Sequence, residues 1–412
     1  NRKEAEEKNV PLGFIQVRRS KDLVKWEFIG WAFPEIPHEA VEWVRSHADG
    51  KGATNIWAPY IIPFGDKYRL YYCVSAFGLK TSYIGLAESW MQRGCVVKTD
   101  ATSVMNAIDP SIIADSATGK WWMHYGSFFG GLYCVELNPE TGLPVQEGDQ
   151  GHLIARRATY WKDNLEAPEI IYNPELKQYY LFVSYDPLMT TYNVRVGRSD
   201  KAEGPFVDYF GVELKDTTNN FPILTAPYRF NNHPGWAGTA HCAVFTSDEG
   251  QYFMAHQGRL SPHNQMMDIH LRQVFFTSDG WPVVSPERYT GSASRKFSAA
   301  DIVGEWEIIR VQEPAYERQL QAGQILWGEG QLKNEEWNVS CTLSLKKDGQ
   351  LDENKGYWKF AERGQLLSLT LNGEYVDNLL VFAGHDWENE TETVLFTGLD
   401  SRGRSVWGKR TK

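Results

Sequence analysis

The 412-residue sequence predicts an all-β protein: a five-bladed β-propeller with an incomplete first blade, followed by a small antiparallel β-barrel or sandwich. Aromatic residues make up 14% of the chain and stand beside 36 Gly and 19 Pro, which is typical of short strands joined by tight turns. Four long segments repeat one layout, as propeller blades do. Closely spaced strand patterns in the last part of the chain indicate a second domain.

The first blade is predicted from its outer half. The stretch from Phe14, FIQVRRSKDLVKWEFIGWAF, resembles VRVGRSDKAEGPFVDYFG from Val194, which belongs to the outer half of a later repeat. The residues before Phe14 are charged and show no strand pattern. We therefore expect the first blade to contain its outer strands without the inner hairpin.

Four further repeats follow. Each has a polar or Pro-containing entry, an apolar run, a turn and an aromatic-rich strand. Pro110 follows Pro59 by 51 positions and Pro168 follows Pro110 by 58, a spacing typical of propeller blades. The runs lack the 3.6-residue period of helical repeats. The repeats begin at Asn55, Asn106, Asn164 and Gly238, and a second pair of strands is predicted after each hairpin, at Ser82–Glu88, Leu132–Leu137, Asn193–Ser199 and Asp268–Thr277.

Two segments between the predicted strands, Phe33–Gly52 and Lys215–Trp236, are interpreted as loops. The small and polar linker Gly291–Asp301 indicates a domain boundary. This gives a propeller domain over residues 1–290 and a β-barrel domain over residues 300–412, with seven or eight antiparallel strands. The tryptophans of the second domain are expected to pack in its core rather than to bind a ligand: Trp306, Trp327, Trp337, Trp358, Trp387 and Trp407.

Charge and composition exclude several classes of protein. There are 52 acidic and 42 basic residues, so the formal net charge is −10, and a general nucleic-acid-binding surface is not expected. No apolar run approaches the roughly 20 residues that a membrane-spanning helix needs. The five cysteines are widely spaced and contain no CxxC pair, which argues against a zinc ribbon or a dense disulfide framework. We expect a monomer.

The candidate functional residues lie at matching positions of the repeats. In a propeller, the first residues of the innermost strands converge on the central axis. The alignment of the repeats places Trp57, Asp109, either Glu166 or Ala167, and His241 there. Glycoside hydrolysis requires an acid that protonates the leaving oxygen and a carboxylate that activates water, and this set contains two carboxylates.

Each of these residues also has a purely structural interpretation. Asp109 precedes a proline, and Asp-Pro commonly opens a turn. Glu166 could be a solvated loop charge, His241 a hydrogen-bonded core histidine and Trp57 a packing residue. The functional interpretation depends on their occurrence at the same phase of several repeats.

The motifs NIWAP, NAIDPS, GSFFGG, EAPE and HCAVF, in this order, resemble glycoside hydrolase family 43. The resemblance is greatest to its endo-acting arabinanases, which cleave α-1,5-linked L-arabinan on a five-bladed propeller, and it covers about Phe14 to Tyr289. The tail from about Ala300 resembles the small β-barrel of one arabinanase subgroup. The resemblance therefore implies a polysaccharide substrate and a secreted or periplasmic enzyme.

The resemblance also implies roles for individual residues. Glu166 corresponds to the general acid, and Asp109 to the carboxylate that orients this acid and keeps it protonated. Glu169 lies further along the strand and is not expected to replace Glu166. His241 corresponds to the histidine that, together with water molecules, holds a calcium or similar ion at the propeller centre. The residues expected to line the substrate cleft are Trp57, Asn106, Ser127 and Phe128.

The general base of the family is not found in this sequence. The resemblance implies an aspartate in an Asp-Pro motif on the inner strand of the first blade, yet no Asp precedes Asp22, which lies in the outer-strand turn SKDL. With an upstream segment that carries this motif we expect an inverting hydrolase, and without it a degenerate enzyme or a non-catalytic glycan-binding propeller. An exo-acting arabinofuranosidase or β-xylosidase on the same fold is the other alternative.

A metal enzyme built on His256, His263 and His270 is disfavoured. Their spacing of seven positions is interpreted as unsuitable both for ligands on adjacent strands and for a helix pair.

Overall fold

The computed structural model describes residues 6–9, 11–88, 91–157, 164–216, 219–313, 332–352, 355–371 and 373–411. Strands account for 49% of the residues and helices for 5%, so the predicted all-β class is confirmed. The chain forms two compact units. Unit 1 contains Asn1–Val183, Arg198–Val207 and Val212–Asn219, and unit 2 contains Ser184–Gly197, Asp208–Gly211 and Asn220–Lys412.

The strands of unit 1 are β1 (Phe14–Arg19), β2 (Glu27–Phe33), β3 (Trp57–Phe64), β4 (Lys67–Ser75), β5 (Ser82–Glu88), β6 (Met91–Thr99), β7 (Ser111–Ala114), β8 (Trp121–Tyr125), β9 (Leu132–Leu137), β10 (His152–Ala155), β11 (Leu165–Asn173) and β12 (Gln178–Tyr185) as far as Val183. β1 and β2 form a two-stranded antiparallel sheet. β3 to β6 form one four-stranded sheet and β7 to β10 another, each with its strands in chain order. β5 and β9 have the predicted bounds, and β11 packs against β7, β8 and β9.

Glycines allow the strands of unit 1 to turn and to approach one another. Gly65 connects β3 to β4 with a φ of 59°, a left-handed conformation that glycine adopts readily. A Cβ atom on Gly85 would lie 2.3 Å from Cζ of Tyr72, so the glycine in β5 leaves the space that this ring fills. All seven residues of β5 are buried.

Helix α1 (His38–His47) lies in the segment Phe33–Gly52, so the interpretation of this segment as a loop was wrong. Ala40 and Val44 are four residues apart on one helix face, and both are fully buried in the same apolar cluster as Tyr72. This apolar stripe is short, and it is therefore hard to recognise between strand patterns. Within the described part of the chain, no helix has the length and apolarity needed to cross a membrane.

The strands of unit 2 are β13 (Asn193–Ser199) as far as Gly197, β14 (Ile223–Thr225), β15 (Tyr228–Arg229), β16 (Trp236–Ala237), β17 (Ala243–Thr246), β18 (Tyr252–Leu260), β19 (Asp268–Phe276), β20 (Pro282–Val284), β21 (Gly304–Arg310), β22 (Asn338–Val339), β23 (Cys341–Leu345), β24 (Gly356–Ala361), β25 (Leu366–Leu371), β26 (Glu374–Asp386), β27 (Thr391–Leu399) and β28 (Ser405–Arg410). β13 pairs with β14. A second sheet has the order β20-β19-β18-β16-β15-β22, and β17 also pairs with β18. β14 and β15 lie in Lys215–Trp236, so this segment is a loop only in part.

A seven-stranded antiparallel sheet follows helix α2 (Ala299–Ile302), in the order β23-β21-β28-β27-β26-β25-β24. This agrees with the predicted strand content of the C-terminal region, whereas the domain boundary near residues 290–300 stays a prediction. Trp387 is half-buried, and Trp327 and residues 1–5 and 10 lie outside the described residues. Of the tryptophans predicted to pack in the second domain, four are buried: Trp306, Trp337, Trp358 and Trp407.

His256 and His270 lie directly opposite each other on β18 and β19, so the view that their spacing excludes adjacent strand positions was wrong. Nε2 of His256 accepts a hydrogen bond from Nε of Arg272 at 2.8 Å, and Nδ1 lies 2.7 Å from the carbonyl oxygen of Gln257. Burial, and to a lesser degree the Arg272 charge, lowers the pKa of His256 to about 3. The His256 ring is therefore neutral with both nitrogens engaged, which gives the metal-enzyme hypothesis no support.

Candidate active site

Three equivalent positions of the repeats share an unusual backbone conformation. Asp109, Ala167 and His241 have φ values of 56°, 52° and 52°, in the left-handed region that residues other than glycine rarely adopt. Such a residue costs roughly 1–3 kcal/mol and persists where the surrounding structure holds it in place. The alignment of the repeats left Glu166 and Ala167 as alternatives in the third repeat, and the backbone selects Ala167 as the equivalent of Asp109. Glu166 comes one residue earlier.

Asp109 is a buried carboxyl group with an unmet hydrogen bond. Its side chain is only 5% exposed, and the carboxylate accepts a hydrogen bond from the backbone N–H of Ala167. Oδ2 has no hydrogen-bond partner within the described part of the chain. Burial, with a further contribution from the nearby Glu166 carboxylate, raises the pKa of Asp109 well above its usual range. Asp109 therefore keeps its proton to a higher pH than an ordinary carboxyl group does.

Glu166 lies near the start of β11 and is held from the neighbouring repeat. The hydroxyl of Ser127 donates a hydrogen bond to Oε2 of Glu166 at 2.8 Å, and the two residues also form a backbone bridge. The backbone N–H of Phe128 donates to the carbonyl oxygen of Leu165 at 2.8 Å. Ser127, expected to line the substrate cleft, is thus 3% exposed and contacts the candidate acid. A direct role in substrate binding stays a prediction for it.

The segment GSFFGG owes its shape to unusual backbone conformations. Phe128 and Phe129 have φ values of 49° and 43°. A Cβ atom on Gly130 would lie 2.2 Å from the carbonyl oxygen of Val104, so only glycine fits there. Phe128 is half-buried and Phe129 is partly exposed, so aromatic rings follow directly after the serine that contacts Glu166. The predicted role of Phe128 in the cleft stays a prediction.

Trp57 lies at the start of β3 and belongs to an aromatic pair. Its ring centroid is 6.2 Å from that of Phe77, which is 41% exposed and which the sequence did not indicate as a site residue. The thiol of Cys73 donates a hydrogen bond to the carbonyl oxygen of Trp57 at 3.2 Å. Burial, followed by the Asp109 charge, raises the pKa of Cys73 well above its ordinary value. Cys73 is therefore a neutral thiol that connects Trp57 to the surroundings of Asp109.

Asn106 is more deeply buried than a cleft residue needs to be. It is 4% exposed, and its Oδ1 accepts a hydrogen bond from the hydroxyl of Ser82. The Ser82 hydroxyl lies 2.7 Å from that of Ser75. These contacts support the backbone before Asp109, and substrate binding by Asn106 stays a prediction.

Glu169 belongs to a separate polar network. The hydroxyl of Ser111 donates to Oε2 of Glu169 at 2.8 Å and accepts a hydrogen bond from the backbone N–H of Ile170 at 3.1 Å. The side chain of Tyr60 also hydrogen-bonds to Ser111. The network joins β3, β7 and β11 within unit 1. This is a positioning role, and it supports the expectation that Glu169 does not replace Glu166.

Asp22, the first aspartate of the sequence, stabilises its own turn between β1 and β2. Its Oδ1 accepts hydrogen bonds from the backbone N–H groups of Lys25 and Val24, at 2.8 and 2.9 Å. These bonds lower the pKa of Asp22 below its ordinary value. The carboxylate is thus engaged in the predicted turn, which does not favour a role as the general base.

His241 belongs to unit 2, two residues before β17. Its backbone N–H donates a hydrogen bond to the hydroxyl of Ser184 at 2.8 Å, and its side chain is half-buried. A single imidazole is a poor protein site for calcium, which prefers six to eight oxygen ligands. His241 therefore fits calcium only if water molecules supply most of the ligands.

A different cluster holds three carboxylates close enough together for a metal: Glu287, Asp386 and Glu388. The ammonium group of Lys409 already lies among them, 2.9 Å from Oε1 of Glu287 and 2.9 Å from Oδ1 of Asp386, and it also bonds to Glu388. This cluster is consequently an internal ion-pair network of unit 2.

Known proteins match both parts of the chain. Residues 7–282 match glycosyl hydrolases family 43, and residues 286–408 match a C-terminal lipocalin-like domain. The chain is 28% identical to an extracellular endo-α-(1→5)-L-arabinanase of Thermotoga petrophila, over 97% of this chain and 90% of that protein. It is 30% identical to an extracellular exo-α-(1→5)-L-arabinofuranosidase of Cellvibrio japonicus, over 68% of this chain and 83% of that protein.

A solved structure has the same overall fold. The crystal structure of an endo-1,5-α-L-arabinanase from Thermotoga petrophila superposes with a TM-score of 0.80 at 27% identity, covering 96% of this chain and 94% of that chain. The family match extends over well more than half of the sequence and includes the candidate acid and its partner. The chain therefore belongs to glycosyl hydrolase family 43 and is a glycosidase.

Proposed function

We propose that this protein is an inverting endo-α-1,5-L-arabinanase with a five-bladed β-propeller and a C-terminal β-barrel. The observation that carries the proposal is the pair of carboxyl groups of Asp109 and Glu166. Asp109 and Ala167 occupy equivalent positions of two repeats, and Glu166 directly precedes Ala167. An endo-acting relative that matches 97% of the chain supports the reaction. The consecutive four-stranded sheets, preceded by the two-stranded β1–β2 sheet, support a propeller of five successive blades.

In the proposed mechanism Glu166 protonates the leaving glycosidic oxygen. Glu166 is half-buried and Asp109 is almost fully buried, so Glu166 is the member of the pair that substrate can reach. The Ser127 hydroxyl donates a hydrogen bond to Oε2 and so orients the Glu166 carboxyl group. Asp109, whose own pKa is raised by burial and by the Glu166 carboxylate, lies beside this acid as its buried partner.

The arabinan chain packs on aromatic rings in this proposal. Trp57, its partner Phe77 and Phe128 offer apolar ring surfaces, to which the CH groups of furanose rings are complementary. Asn106, held by the Ser82 hydroxyl, completes the proposed substrate-binding set. Activation of the attacking water is not assigned to any residue that the structure describes.

Calcium bound at His241, mainly through water, is part of the same proposal. The ion would supply a fixed positive charge that organises water molecules, and His241 would hold its position. The test is metal analysis of the wild-type protein and of His241→Ala after dialysis against calcium-free buffer. Equal calcium content in the two proteins would show that His241 does not bind the ion.

Export and a monomeric state complete the proposal. The Thermotoga and Cellvibrio relatives are both named as extracellular proteins, which supports secretion or transport to the periplasm. Sedimentation of the purified protein tests the monomer.

The decisive experiment is the substitution Glu166→Gln, assayed by the release of reducing ends from linear α-1,5-arabinan. General acid catalysis typically contributes about 10²–10⁴-fold, so turnover should fall by that factor while binding of arabinan persists. Glu175→Gln, at the exposed turn between β11 and β12, is the matched control and should behave like the wild type. Full activity of Glu166→Gln would remove the assignment.

Exo action is the second candidate because one relative is an exo-α-(1→5)-L-arabinofuranosidase. Early products from linear arabinan separate the two reactions. Oligomers of several lengths at low conversion are expected for endo action, whereas monomer or one short product from the start would indicate exo action. A protein that binds arabinan and releases no product would instead be a glycan-binding propeller.

A further inference from the structure

The C-terminal sheet carries an aromatic hollow on the face opposite its core. Trp358 of β24, Leu369 of β25 and Val376 of β26 all pack in the core of this sheet. Side chains alternate between the two faces of a strand, so the neighbouring residues Tyr357, Thr370 and Tyr375 lie on the other face. The two tyrosines are 55% and 58% exposed. Large side chains that are so exposed, and that lie together, often mark a binding surface.

Strand pairing places these three residues in one row. Tyr357 is opposite Thr370 on the pair β24–β25, and Thr370 is opposite Tyr375 on the pair β25–β26. Neighbouring strands are about 4.8 Å apart, so the two tyrosines are separated by roughly 9.6 Å. The next row on this face contains Lys359 and Ser368, which are also opposite each other.

These five residues line an open hollow of about 460 Å³, which is within the range of about 300–1,000 Å³ for small-ligand sites. The hydroxyl of Thr370, between the tyrosines, is shielded from solvent and has no hydrogen-bond partner within the described ranges. A shielded hydroxyl without a partner has an unfavourable free energy that a bound polar group would relieve.

We propose that this hollow is a second, non-catalytic binding site for a strand of the arabinan substrate. The inference rests on the proposed function and adds to it a place where the polymer is held away from the cleavage site. The two tyrosine rings, two strands apart, suit a short run of furanose rings, whose CH groups pack on aromatic faces. The hydroxyls of Thr370 and Ser368 and the ammonium group of Lys359 suit the hydroxyl groups of the sugar.

Other classes of partner fit the hollow less well. It has a single charged side chain, Lys359, whereas a polyanion requires a cluster of basic groups. A stable protein partner generally buries more than about 1,000 Å², which five residues with mostly polar termini do not provide. A neutral polyol chain needs the combination that is present, apolar ring faces together with hydroxyl groups.

The test measures the binding of insoluble linear arabinan by the full-length protein. All variants carry Glu166→Gln, so that the polymer is not degraded during the measurement. The double substitution Tyr357→Ala/Tyr375→Ala should weaken binding by roughly tenfold or more, because it removes both aromatic faces of the proposed site. Tyr68→Ala, which removes a tyrosine of the same 55% exposure from β4, is the matched control and should leave binding unchanged.

Two further measurements separate this site from the catalytic one. In proteins with Glu166 intact, Tyr357→Ala/Tyr375→Ala should lower the initial rate on insoluble arabinan and leave the rate on arabinotriose unchanged. If the wild-type protein cleaves no arabinan, the proposed function fails, while the binding comparison still decides the second site. Tyr357→Leu/Tyr375→Leu keeps apolar bulk on the strands and should reproduce the loss if the alanine variants unfold. Equal binding of these variants and their parent would overturn the inference.

Discussion

Asp109 combines three features that each destabilise a folded protein. Its backbone has a φ of 56°, its carboxyl group is 5% exposed, and Oδ2 has no hydrogen-bond partner in the described part of the chain. Ala167 repeats the backbone conformation and donates its N–H to Asp109. Such unfavourable features concentrate at functional sites, where activity rather than stability determines the residue. Asp109 is therefore expected to lower the free energy of unfolding of this protein.

The substitution Asp109→Asn tests this expectation through pH. Burial and Glu166 raise the pKa of Asp109 in the folded state above its ordinary value of 3.8. The folded state then binds the proton more tightly than the unfolded state, so this group lowers the free energy of unfolding as pH rises above about 3.8. Asp109→Asn removes the buried charge, so it should stabilise the protein at neutral pH by about 1–3 kcal/mol, and much less in acid, where Asp109 is itself uncharged.

Thermal unfolding midpoints at neutral and acidic pH measure the effect. A variant that is less stable than the wild type at neutral pH would show that the Asp109 carboxylate is a structural group. The same variant should be poorly active in either case.

The alignment of the repeats predicted Asp109 and Glu166, because both lie near the start of the first strand of their repeat. The sequence could not choose between Glu166 and Ala167 as the equivalent position, since only the backbone torsion distinguishes them. Cys73 and Phe77 were not predicted as site residues. Their contacts to Trp57 come from the pairing of β4 with β3 and from the following loop, and no motif identifies such neighbours.

At the scale of elements, the site depends on the hydrogen bonds between the loop before β9 and strand β11. Ser127 in this loop forms both a backbone bridge and a side-chain hydrogen bond with Glu166 of β11. The glycines around it allow the loop to approach its neighbours, as the contact of Gly130 with Val104 shows. The loop thus positions the candidate acid from a different repeat.

Ser127→Ala removes the hydrogen bond from the side chain to Glu166 and keeps the backbone bridge. A hydrogen bond to a neutral group contributes about 0.5–1.5 kcal/mol, so kcat on linear arabinan should fall by roughly two- to tenfold. KM should change little, because the hydroxyl orients Glu166 rather than the substrate. Ser116→Ala, in the exposed turn before β8, is the control. An unchanged kcat with a raised KM would instead assign Ser127 to substrate binding, as the sequence resemblance implied.

Strands were predicted more accurately than the other elements. The segment Ser82–Glu88 contains the apolar and aromatic run YIGLA, so its strand could be located to the residue. Helix α1 was missed because its buried face consists of two fully buried residues, Ala40 and Val44. Short strands such as β15 and β16 have two residues each and depend on pairing partners that are remote in sequence.

At the scale of the whole molecule, unit 2 contains both the last repeat and the C-terminal sheet, and buried charges connect them. Lys409 of β28 lies among the carboxylates of Glu287, Asp386 and Glu388. Burial lowers the pKa of Lys409. The charges of Glu287 and Glu388 outweigh this effect and raise the pKa above its ordinary value. Burial raises the pKa of Glu287 to about 8 despite the nearby Lys409. One ammonium group therefore serves as the shared partner of three carboxyl groups, of which Glu287 is mainly protonated at neutral pH.

Lys409→Met should destabilise the protein by about 3–5 kcal/mol, because it leaves buried carboxylates without a counter-charge. Since the pKa of Glu287 is raised to about 8, this group is mainly protonated below that pH, and the loss should be larger above it. Adding Glu287→Gln should restore part of the stability. Urea unfolding midpoints measure these effects, with the exposed Lys347→Met as the control. Equal midpoints for Lys409→Met and the wild type would contradict the network.

The most direct test of the account is a double-mutant cycle on kcat/KM for linear α-1,5-arabinan, with Asp109→Asn, Glu166→Gln and both substitutions together. If the two carboxyls act as one unit, each single variant loses about 10²–10⁴-fold. The double variant should then lose little more than the worse single variant. Losses that multiply, or wild-type activity in either single variant, would show that Asp109 and Glu166 do not act together in catalysis.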